Sequence, residues 1–69
     1  MNRTQVFSSS IRSIGYENGI LEIGFVDGGV YQYSGVPESI YQGLLNAPSK
    51  GKFFHAFIKD CFPTNKVGW

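Results

Sequence analysis

Ile14-Gly15-Tyr16-Glu17-Asn18-Gly19-Ile20-Leu21-Glu22-Ile23 decides the architecture of this chain. Asn-Gly accepts the positive φ that a two-residue type I′ turn demands, so the stretch reads as two antiparallel strands closed at Asn18-Gly19. That closure pairs Tyr16 with Leu21 and Ile14 with Ile23, which places all four side chains on one face of a sheet. Going outward, Ile11–Tyr16 forms the first strand and Ile20–Val26 the second, where Leu21, Ile23 and Phe25 alternate with Glu22 and Gly24. Before them, residues 1–8 are polar and without period and read as a flexible arm.

A third strand, Gly29–Ser34, follows Asp27-Gly28-Gly29, and here the register is open. A two-residue loop at Asp27-Gly28 sends Tyr31 and Tyr33 to the face opposite Leu21 and Ile23. A three-residue loop with a glycine bulge sets Phe25 across from Tyr31 and turns both tyrosines into the core. The second glycine, which suits a left-handed bulge residue, and a small domain's need for apolar area favour the core version. The tyrosines are then struts rather than a platform for stacked bases.

After Gly35, Pro37 suits the first position of a helix and Glu38 its positive end. Ile40, Tyr41, Leu44 and Leu45 supply one apolar face, giving a helix over Pro37–Asn46 that Pro48 stops. Ser49 caps a second helix, Ser49–Cys61, whose face is Phe53, Phe54, Phe57, Ile58, Cys61 and Phe62. Residues 63–69 form a tail, with Trp69 expected to dock on the body. The expectation is one α+β domain over residues 1–69, a three-stranded antiparallel meander with both helices packed on one face.

The chain has 69 residues, 42% hydrophobic and 16% aromatic, enough for one core and too few for two domains. A single cysteine and an N-terminus unlike a leader fit a reducing, cytoplasmic setting, and the apolar runs fall far short of the ~20 residues that cross a bilayer. The net charge of +1 conceals an asymmetry. Residues 1–48 carry −2, whereas residues 49–69, with Lys50, Lys52, Lys59 and Lys66 against Asp60, carry +3. Such a basic end suits an anionic partner.

Catalytic and metal constellations are not specified. His55 and Cys61 stand on separate helical faces, with Cys61 on the apolar stripe as a small buried hydrophobe, and a lone His with a lone Cys makes no zinc site. The carboxylates are scattered, so no acid–base pair is set up, and neither an enzyme nor a cofactor is expected. Local rules are broken only at Ser49-Lys50-Gly51-Lys52. Positive charge in a first helical turn opposes the dipole at roughly 0.3–1 kcal/mol per residue, and glycine costs about 1 kcal/mol more. Two readings stand: a phosphate site built from helix-start N–H groups, a hydroxyl and two ammonium groups, or a solvated lysine pair with Gly51 allowing the helices to pack closely.

Ser9-Ser10-Ile11-Arg12-Ser13-Ile14-Gly15-Tyr16, Leu21-x-Ile23-x-Phe25, Tyr31-Gln32-Tyr33 with Gly35-Val36-Pro37, and Ala47-x-Ser49-x-Gly51-Lys52-Phe53-Phe54 together resemble the KTSC domain, from Ser8 to Phe62. This small family of bacterial and phage proteins is named after the C-terminus of some lysyl-tRNA synthetases and also occurs as a stand-alone module. The resemblance implies no catalytic residues, and the synthetase context suggests RNA binding. Two departures are His55, where the family often has Asn, and Ile58-Lys59, where Ile-Arg is common. The expected function is a non-enzymatic RNA-binding module with Ser49, Lys50, Gly51 and Lys52 holding phosphate and Arg12 or Lys59 assisting. The alternative is a protein-interaction module that uses an exposed strand edge or a self-associating sheet face.

Overall fold

The computed structural model describes residues 1–69 as five strands and two helices: β1 (Thr4–Gln5), β2 (Ile11–Glu17), β3 (Ile20–Phe25), β4 (Gly29–Ser34), α1 (Glu38–Asn46), α2 (Lys50–Phe57) and β5 (Thr64–Gly68). Asn18 and Gly19 adopt φ of 52° and 78°, and the turn they form pairs Tyr16 with Leu21 and Ile14 with Ile23 as the sequence predicts. The strands lie in chain order in one antiparallel sheet. Five strands replace the expected three. The supposed arm contributes β1, and the supposed tail contributes β5, which returns from the helices to pair with β4.

The register between β3 and β4 sets the tyrosines. Phe25 faces Gly29, Ile23 faces Tyr31 and Leu21 faces Tyr33, so the loop has three residues, Val26 to Gly28. Gly29 takes φ of 85°, the left-handed value expected of the second glycine. Both tyrosines join the Leu21 and Ile23 face as predicted, but two residues out of the anticipated pairing: Phe25 meets the Tyr31 ring diagonally, edge-on at 5.7 Å. Tyr33 is 4% exposed and Tyr31 half-buried.

A bulge between Ile11 and Ser13 breaks the alternation of β2. It brings Ile11 to the same face as Ile14 and Tyr16, whereas Ser13 and Gly15 point the other way. The core is then Ile11, Ile14, Leu21, Ile23 and Tyr33 from the sheet, Leu44 from α1, Phe54 from α2, and Val36 and Ile58 from the connections. Tyr16 stacks on Tyr41 of α1 at 4.8 Å, and its hydroxyl donates to the Val36 carbonyl at 2.6 Å. These contacts fasten the hairpin to the helical layer.

Helix boundaries differ from the expected ones for local reasons. Pro37, extended at ψ of 151°, precedes α1 rather than opening it. α2 ends at Phe57, not Cys61: the N–H groups of Ile58 and Lys59 both donate to Phe54 O, and Asp60 turns the chain at φ of 61°. Ile58 stays buried by capping the helix, but Cys61 lies beyond the turn and is exposed, not buried on a helical stripe. Trp69 does not dock; at the end of the edge strand it is 91% exposed. No helix is long and apolar enough to cross a membrane.

Candidate nucleic-acid interface

The start of α2 meets the connection between β1 and β2. In that connection the Ser8 hydroxyl accepts from the N–H groups of Ser10 and Ile11 at 3.2 and 3.3 Å, a serine turn of the kind that competes with regular structure. Val26 N–H donates to Ser10 O at 2.9 Å and ties the turn to the sheet. On the other side, Ser49 caps α2 by accepting from Lys52 N–H at 3.3 Å. A Cβ at Gly51 would come within 3.2 Å of Ser10 Oγ. Gly51 therefore lets the helix approach the serine turn and not, as one expectation had it, the other helix. That second role belongs to Gly43, where a Cβ would lie 2.6 Å from the Phe53 ring.

Between these segments runs a groove of about 680 Å³. Ser8, Ser9 and Ser10 form one wall, Lys50, Lys52 and His55 the other, and Phe7 stands fully exposed at its rim. No carboxylate lines it. The cost of lysine at a helix start is partly relieved, because Lys50 Nζ reaches back to donate to Ala47 O at 3.1 Å, at the negative end of α1. Lys52 is exposed and makes no such bond, so its ammonium is free for a ligand.

Of the residues expected to act together, Ser49, Lys50, Gly51 and Lys52 share this groove, but Arg12 does not. Arg12 lines a depression by the β3–β4 turn, and Lys59, exposed after α2, lines neither. Tyr31, Tyr33 and Pro37 serve the fold; burial, with the charges of Tyr31 and Asp60, pushes the Tyr33 phenol up to about 12. Sequence reasoning missed Phe7 and Ser8, which fall in the expected arm, and gave Ser9 and Ser10 no binding role. No group of three or more His, Cys, Asp or Glu side chains is placed to hold a metal.

The model of the KTSC domain matches residues 7–62, most of the chain. The chain belongs to the KTSC domain family. The KTSC domain protein of Yersinia pestis has the same structure, with a TM-score of 0.95 at 49% identity over 97% of both chains. An uncharacterised protein of Stutzerimonas stutzeri is 44% identical over 61 residues, 86% of each chain. A lysine–tRNA ligase of Nostoc punctiforme is 46% identical over 56 residues, which are 78% of this chain and 10% of the ligase. The groove lies inside the matched span of the KTSC domain, whereas β1 and β5 lie outside it.

Proposed function

We propose that this KTSC domain is a non-enzymatic module that binds RNA along the groove at the start of α2. The carrying observation is the groove itself: the start of α2, four serines, two lysines and His55 line it with no carboxylate among them. Phosphate is the anion such donors suit, and Phe7 at the rim offers a ring to an unpaired base. The related segment in a lysine–tRNA ligase supports RNA as the source of that phosphate.

Fluorescence anisotropy of a labelled single-stranded RNA tests the reading. The protein should bind saturably at roughly 50 mM salt and weaken as salt rises, because bound lysines release counterions. Lys52→Glu should weaken binding roughly ten-fold, and Lys50→Glu/Lys52→Glu further, with an unchanged circular dichroism spectrum. No saturable binding at low salt, or equal affinity in Lys52→Glu, overturns the proposal. A protein-interaction reading rests on a different feature, the outer edge of β5, which ends the sheet unpaired. Recovery of one protein from nuclease-treated lysate, lost when Val67→Pro blocks that edge, would favour it.

A further inference from the structure

The face of the sheet turned away from the helices holds a second depression, of about 340 Å³, beside the β3–β4 turn. Ser13 and Gly24 form its floor, Arg3 and Arg12 stand over it, and Trp69 and Asp27 complete the rim. The bulge in β2 builds this arrangement, because it frees Arg12 from the ladder and turns Ser13 away from the core. A Cβ at Gly24 would lie 2.6 Å from Ser13 Oγ and 3.6 Å from Arg3 Nη1, so only a glycine fits beside the hydroxyl and beneath the guanidinium.

Ser13 is 8% exposed, yet its hydroxyl takes part in none of the side-chain hydrogen bonds of the protein. It is not sealed either, since no fully buried side-chain oxygen or nitrogen lacks a partner. The hydroxyl therefore opens into the depression as an unused donor. Arg3 is held by Glu22 at 3.5 Å, which offsets its charge, and Glu22 also accepts from Gln32 at 2.8 Å. Arg12 is exposed and has no carboxylate within 4.0 Å. Asp27 is the opposing charge on the rim; Lys66 is not part of the lining, but its ammonium lies 4.9 Å from the Trp69 ring. With Lys66 over it, the Trp69 side chain is still 91% exposed.

We infer that this depression is a nucleotide site, with a phosphate held by Arg12 and the Ser13 hydroxyl and a base stacked on the exposed ring of Trp69. A planar guanidinium and a hydroxyl suit a phosphate monoester or diester, and an exposed indole suits any base. Free mononucleotide and a nucleotide within a strand present the same chemistry. The site stands apart from the α2 groove, although Ser10 of that groove and Arg12 are two residues apart, about 7 Å along an extended chain.

Trp69 is the one tryptophan, so its fluorescence reports the site directly. Adenosine monophosphate should quench it saturably, and adenosine roughly ten-fold more weakly, the difference that a charged hydrogen bond makes. Arg12→Glu should remove that preference and Ser13→Ala reduce it, whereas Lys52→Glu, which disables the α2 groove, should leave it unchanged. A short oligoadenylate that binds more tightly than the mononucleotide, still through Arg12, identifies RNA as the source; equal affinity identifies the free nucleotide, and either upholds the site. Quenching that never saturates, that is equal for adenosine and its phosphate, or that survives Arg12→Glu overturns the inference.

Discussion

Ile23 and Glu22 are neighbours in β3, yet the sheet sends them to environments with opposite chemistry. Ile23 faces the helices with Ile14, Leu21 and Tyr33, a surface from which water is excluded. Glu22 faces away and is covered by Arg3 and Gln32, between Gly15 on one side and Gln32 on the other. One face is filled by branched and aromatic side chains; the other has serine and glycines, over which the chain's own N-terminus curls. A Cβ at Gly15 would lie 2.6 Å from Asn2 O. The difference teaches that a small domain can place its stability on one side of a sheet and leave the other side for polar contacts.

The comparison breaks if the two faces respond alike to truncation. Ile23→Ala should lose about 2–5 kcal/mol in a denaturant titration, the cost of a cavity among residues that are fully buried. Tyr33 sharpens the comparison through pH. Its phenol is raised from 10.0 to about 12, chiefly by burial and then by Tyr31 and Asp60. Below pH 10.0 the phenol is protonated folded or unfolded and its contribution is intact; above it the unfolded chain loses the proton first, and stability falls until about pH 12. That window should remove about 2–3 kcal/mol, and Tyr33→Phe should flatten it. The smallest effect belongs to the face turned away from the helices: Glu22→Gln keeps an acceptor for Gln32, weakens the Arg3 pair, and should cost about 1–2 kcal/mol, because Glu22 is buried but Arg3 stays partly in water. A loss in Glu22→Gln as large as that in Ile23→Ala would make both faces structural.

The covered face was legible because its signals are local and strict. Asn18-Gly19 can close few turns, and once it is closed, parity assigns Ile14, Tyr16, Leu21 and Ile23 together. The bulge in β2 was not read, because Ile11–Tyr16 was taken as a regular strand, although the spacing of Ile11, Ile14 and Tyr16, three residues and then two, is one that no regular strand can bury on one side. The edge strands were not. Thr4-Gln5 is too short to have a period, and all of β5 up to Val67 is exposed, so neither strand carries a buried apolar pattern that a sequence could show. The helix that was read through Cys61 shows the opposite failure: Ile58, Cys61 and Phe62 continue the apolar spacing, but a turn with Asp60 in the left-handed region places them. At the groove, Ser49-Lys50-Gly51-Lys52 stood out because it defies helix-start preferences, and the serines opposite had no such mark.

Amide chemical-shift mapping of the labelled protein, titrated with single-stranded RNA, tests the RNA-binding account most directly. Shifts should concentrate on Ser8, Ser9 and Ser10 and on Ser49, Lys50, Gly51, Lys52 and His55, the two walls of the groove. Shifts confined to the outer edge of β5, or none at saturating RNA, would contradict it.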